Sequence, residues 1–229
     1  MAMAANPAEV LKPSAEKTNY IRLARLLMCG GTKIVRRVFD SKIPPSQLPT
    51  KLNEPAVFTR LHQMKKDKIL YTSQWKVLFP SPLIYGKSES FDITLLFKLL
   101  REFCGLPAPP KGWDDLPDDK DHSLSADLAR IKYYRNELCH AKEDLGISKG
   151  DFNTCGKRIK DALLRMVKAF PSLGSTKDWK DEIDKSLTGP ITDEDERNIK
   201  ELKSWYLQDM DIKAILIGKL NETYLEVEV

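Results

Sequence analysis

The chain is poor in the residues on which β-architectures and disulfide scaffolds depend. Valine occurs 8 times against 29 leucines, and glycine and proline together supply 25 of 229 residues. That balance favours helices and nearly excludes an all-β sandwich or barrel. No apolar run reaches the roughly 18 residues of a membrane span, and residues 1–13 lack the basic and then apolar order of a secretory signal. A soluble, cytoplasmic protein without a membrane partner is expected. The four cysteines, Cys29, Cys104, Cys139 and Cys155, are too scattered for a zinc site or a disulfide framework, and there are only three histidines. Gly30-Gly31 lies inside a helical pattern and is not followed by Lys-Ser or Lys-Thr, so it is not a phosphate-cradling loop. Reduced thiols, no metal and no cofactor are the expectation.

What is present is 41% hydrophobic and 31% charged residues, enough for one good core or two small ones. The net charge of +4 is unevenly spread. Up to Cys104 there are 17 basic against 8 acidic residues, and from Gly105 onward 20 against 25. A polyanion would most naturally meet the first half, where Arg36 and Arg37 are candidate RNA contacts; a solvated helix face is the competing reading.

Ser14 is placed to cap a long helix with Tyr20, Leu23, Leu27, Ile34 and Val38 on one stripe, interrupted at Gly30-Gly31, where a bend or a close helix approach is expected. Pro44 to Pro55 reads as a connector with a turn or two of helix, Val57 to Lys68 as a short helix, and Tyr71 to Pro80 as an apolar plug. Ser90 is expected to open a strongly apolar central helix through Phe103. Ser123 caps a helix to about Ala141, and Asp151 caps another to Phe170. A polar helix near Lys177 to Leu187, a Thr192 capping box and a last helix around Met210 to Tyr224 follow. The expected architecture is all-α: a flexible leader over 1–13, a helical bundle over 14–171, and appended helices or a linker to a further domain over 172–229.

The helix from Ser123 carries an anomaly. With about 100° per residue, Leu124, Leu128, Ile131 and Leu138 form one stripe, and Arg135 falls in its middle. A guanidinium there must meet a carboxylate, line a groove or face an interface. Asn136 and His140 lie one helical turn apart, on a flank 100–140° from Arg135 in the same geometry. Singly, Arg135 reads as an ion pair, Asn136 as surface and His140 as a helix C-terminal histidine; together, Arg-Asn-x-x-x-His, they are more informative.

The motif Arg135-Asn136-Glu137-Leu138-Cys139-His140 resembles the signature of the HEPN superfamily, an Arg followed after four to six residues by His. Its context strengthens the resemblance: Gln74-Trp75, Leu78-Phe79-Pro80, Phe91 to Leu96, Leu99-Leu100-Arg101, Cys104-Gly105-Leu106, Gly112-Trp113 and Ala126 to Lys132. Over roughly Tyr20 to Phe170 this succession is similar to the HEPN domain of the DAZ-interacting zinc-finger ubiquitin ligase type, which recurs in invertebrate multidomain proteins of innate-immune-like architecture. The resemblance implies an all-α bundle that dimerises so that two motifs line one cleft and, in active members, a metal-independent RNA endonuclease. His140 is then the general base or acid, Arg135 the clamp on phosphate and transition state, and Asn136 the orienting group. Tyr133, near the His140 flank, is a candidate for stacking on a base, with packing as the alternative.

The competing function is a non-catalytic dimerisation, recruitment or RNA-binding module of a longer signalling protein. It would be favoured by a buried Arg135 paired to a carboxylate. A Cys139–His140 hydrolase is disfavoured because adjacent helical residues diverge by about 100°.

Overall fold

In the computed structural model, which describes residues 14–140, 146–195, 197 and 199, Ser14 accepts a hydrogen bond from the Lys17 amide and opens α1 (Ala15–Arg25). The Gly30-Gly31 interruption falls in a π-helical turn, Leu26–Gly31, that leads directly into α2 (Thr32–Lys42). Gly31 packs under Ile93, where a Cβ would sit 3.5 Å from the Ile93 side chain.

The proline-rich connector contains the short α3 (Leu48–Asn53), and α4 (Pro55–Lys66) starts on Pro55, whose missing amide is no loss in a first turn. The apolar plug is itself helical, α5 (Thr72–Leu78). The central apolar helix, α6 (Ile93–Phe103), opens two residues later than expected. Asp92 is its cap, accepting the Leu95 amide at 2.7 Å, while Ser88–Ser90 form a 3-10 turn in which the Ser90 hydroxyl donates to the Lys87 carbonyl. Helix α7 (Leu124–His140) begins as expected, with the Ser123 hydroxyl accepting the Ala126 amide. Helix α8 (Lys149–Ala169) is capped by Ser148 rather than Asp151: the Ser148 hydroxyl accepts the Asp151 amide and donates to the Asp151 carboxylate. Helix α9 (Thr176–Thr188) follows a short 3-10 turn. The expected last helix around Met210 lies outside the described residues.

The fold is all-α: apart from an isolated bridge between Ser81 and Ile84, the described residues pair into no sheet. Helix α8 packs along α7, α9 and α1, and α2 lies on α6, which in turn faces α7. A single buried cluster runs from Tyr20, Leu27 and Ile34 through Phe39, Phe91, Leu95 and Leu99 to Leu128 and Leu163. Helix α9 is fastened to α1: Ile183 is buried, and the Arg25 guanidinium donates to the carbonyls of Ser186, Gly189 and Pro190 and pairs with Asp195 at 3.2 Å. Among the described residues no helix is long and apolar enough to cross a membrane.

Candidate functional site

Where α6 faces α7, their side chains enclose a cavity of about 260 Å³. Helix α7 contributes Leu128, Ile131, Lys132, Arg135 and Asn136, and α6 contributes Thr94, Phe97, Lys98 and Arg101. The α4–α5 connection adds Lys68 and Tyr71, and the α6–α7 loop adds Asp114. Five cationic side chains thus line a space that holds one carboxylate. Its apolar rings are engaged with those cations: the Lys98 ammonium lies 4.0 Å from the Tyr71 ring centre and the Lys132 ammonium 5.3 Å from that of Phe97. Lys98 also donates to the Gln74 amide oxygen at 3.0 Å, Lys132 pairs with Asp114, and Arg101 pairs with Glu102 at 2.9 Å. Partial burial works to raise the Glu102 pKa, but the hydrogen bonds from Arg60 and Arg101 outweigh it and hold the carboxyl below its ordinary range.

Arg135 is half-buried at this cavity. One guanidinium nitrogen donates to the Thr94 hydroxyl at 3.1 Å and the other reaches the Cys139 sulfur at 3.9 Å. Among the described residues no carboxylate forms an ion pair with it. Among the described residues Arg135 thus lines a groove. The deeply buried arginine of this helix is instead Arg130, 2% exposed, which pairs at 2.8 Å with Asp127, 1% exposed. Asp127 also accepts from the Arg165 Nε at 2.9 Å, and Arg130 donates to the Asp118 carbonyl. That cluster is a satisfied brace between α7 and α8.

Asn136 lines the same cavity as Arg135 despite the 100° between them, because the cavity follows the seam between two helices rather than a single stripe. His140 is the final residue of α7, one turn beyond Asn136, and its side chain lies outside what the structure describes. Tyr133 is half-buried and meets Tyr134 edge-on at 5.5 Å. Arg36 donates to the carbonyls of Ser88 at 2.8 Å and Phe91 at 2.9 Å, tying α2 to the approach to α6. Arg37 is exposed, 5.9 Å from the Trp179 ring. Neither lines the cavity. Sequence gives no sign that Lys98, Arg101 and Lys132 meet Arg135: Lys98 and Arg101 fall on the side of α6 opposite its leucine stripe, the ordinary place for a solvated cation, and Lys68 reads equally as a solvated helix face. Among the described residues no group of three His, Cys, Asp or Glu side chains is placed to hold a metal ion.

A family model described as DZIP3/hRUL138-like HEPN matches residues 45–199, which include every residue named at the cavity. The chain is 32% identical over 149 residues to the E3 ubiquitin-protein ligase DZIP3 of Homo sapiens and, equally, to that of Mus musculus; the match covers 64% of this chain and 12% of each relative. The chain therefore corresponds to a small part of much longer proteins. No solved structure matches it. With the helical bundle, the Arg-Asn-x-x-x-His helix and a family match over more than half its length, the chain belongs to the DZIP3/hRUL138-like HEPN family.

Proposed function

We propose that this HEPN domain is a metal-independent RNA endonuclease whose site is assembled around Arg135, Asn136 and His140, with a second copy of the chain completing the cleft. The observation that carries the reading is Arg135 itself, a half-buried guanidinium held by a hydroxyl and a thiol in a cavity with four further cations. A protein that used Arg135 only to close an internal ion pair would present a carboxylate to it; among the described residues none does, and its remaining donors suit a phosphate.

RNA brings its own nucleophile. The 2′-oxygen bonds to the adjacent phosphorus and the bond from phosphorus to the 5′-oxygen breaks, giving a cyclic phosphate and a 5′-hydroxyl. His140 takes the 2′-hydroxyl proton or returns one to the leaving oxygen. Arg135 stabilises the charge that develops on the phosphoryl oxygens, and Asn136 orients the reacting groups. Lys98 and Lys132 supply a positive field for the backbone on either side of the scissile bond. The test is cleavage of single-stranded RNA by the purified chain in EDTA, beside Arg135→Ala and His140→Ala, with the mass in solution measured in parallel. Cyclic phosphate ends lost in both variants are expected. An inert dimer, or full activity without His140, would leave the domain as a binding and recruitment module of a longer protein.

A further inference from the structure

Away from the cavity, the α4–α5 face carries an apolar surface that the RNA reading does not use. The large apolar side chains that stand exposed among the described residues are Phe58 (43%), Leu83 (90%) and Ile84 (57%), and a chain of ring contacts joins their neighbourhoods. Phe58 meets Phe79 edge-on at 5.4 Å, and Phe79 meets Tyr85, the residue after Ile84, at 6.1 Å.

The tip of this surface is a turn closed by the Ile84 amide on the Ser81 carbonyl at 3.0 Å. Pro82 occupies its second position and Leu83 its third, with φ of 64°. Left-handed backbone suits glycine or asparagine there, whereas a leucine is held in it at a cost. The turn is also anchored: the Gly86 amide donates to the Leu78 carbonyl at 2.8 Å, a methyl group on Gly86 would collide with the Val77 carbonyl, and the Tyr85 hydroxyl donates to Asn53 at 2.7 Å. A strained backbone thus presents a fully projecting leucine from a fixed base.

The surroundings say what fits. Of the seven Lys and Arg in residues 51–87, Lys51 and Arg60 are paired with Glu54 and Glu102 and Lys68 lines the cavity, which leaves Lys65, Lys66, Lys76 and Lys87 against Asp67. Nucleobases need open ring faces, but Trp75 has the Lys65 ammonium 4.6 Å from its centre and the Phe79 ring 4.6 Å away, and Phe58 lies along His62. Leu83 and Ile84 offer a base nothing to stack on. A second copy would bring the same excess of lysines, and as few carboxylates, to the contact. We propose that this face docks a polypeptide segment of another protein, with apolar side chains seated over Phe58, Leu83 and Ile84 and Asp or Glu side chains meeting Lys65, Lys76 and Lys87.

The experiment is selection of a displayed random 16-residue peptide library on the immobilised whole chain, after depletion on the Leu83→Gly, Ile84→Ser double variant. Enriched sequences that combine apolar residues with Asp and Glu are expected. A synthetic copy of one should bind the double variant at least tenfold more weakly and lose affinity between 50 and 500 mM salt, while the double variant, relieved at position 83, melts no lower than the parent. Absence of enrichment, enrichment without acidic residues, or equal affinity for the double variant overturns the proposal. It is also overturned if the face proves to serve another ligand: phosphatidylserine vesicles that sediment the parent but not the double variant, a 20-nucleotide RNA whose binding the two substitutions abolish, or a dimer that they dissociate. No arm depends on RNA cleavage, so failure here leaves the nuclease reading standing, and the reverse holds too.

Discussion

Arg130 and Arg135, five positions apart on α7, are held by different chemistry. Arg130 is sealed against Asp127, and the same carboxylate accepts from Arg165 across the α7–α8 contact. Removing the carboxylate strands a buried guanidinium, so Asp127→Ala is expected to lower the unfolding free energy by about 3–5 kcal/mol in urea titration. Arg135 contributes one good hydrogen bond to Thr94, and Arg135→Ala is expected to cost about 1 kcal/mol or less while abolishing RNA cleavage. A large loss of stability in that variant would place Arg135 among the braces. Arg135 was legible because a cation in a leucine stripe is conspicuous from periodicity alone. The role of Arg130 was not, since the carboxylate it shares, Asp127, is also bound by Arg165 from 38 residues further on, and only tertiary contact reveals that sharing.

Among the elements, α6 rests on its cap. Asp92 accepts the Leu95 amide and also receives the Gln74 side-chain amide at 3.1 Å, which locks α5 to the start of α6. Asp92→Ala is expected to lower stability by about 1–2 kcal/mol, read as a shift of the thermal midpoint. Gly86→Ala, which sets a methyl group against the Val77 carbonyl, is expected to cost about 1–3 kcal/mol and to displace the Ser81–Ile84 turn. Ser90 and Asp92, like Ser148 and Asp151, show the grain of what sequence yields. Each pair offers two competent caps within one helical turn, and hydrophobic periodicity places a helix to within about a turn without choosing between them. The choice is made by a partner elsewhere in the chain, Gln74 for Asp92, or by reciprocal bonding, as between Ser148 and Asp151.

For the molecule as a whole, the cavity draws on Lys68, Lys98, Arg101, Lys132 and Arg135 from separate segments, so the early excess of basic residues was readable while their convergence was not. The buried phenol of Tyr20 reports on the integrity of the whole core. Its hydroxyl donates to the Leu138 carbonyl at 3.2 Å, and burial, with Cys139 nearby, pushes its pKa up to about 12. An unfolded tyrosine titrates near 10, so folding favours the neutral phenol. That stability is fully present below about pH 10 and is lost as pH rises toward 12, a decline of about 2–3 kcal/mol that should be missing from the alkaline limb of Tyr20→Phe. The π-helical turn at Leu26–Gly31 bears on tolerance to change in chain length. Because i→i+5 bonding wraps one more residue than its flanks do, residue count and axial advance are uncoupled at that point. Deleting Gly30 lets ordinary bonding resume with α1 and α2 still facing their own neighbours, whereas deleting one residue from the middle of α6 swings half of its buried face by about 100° toward water.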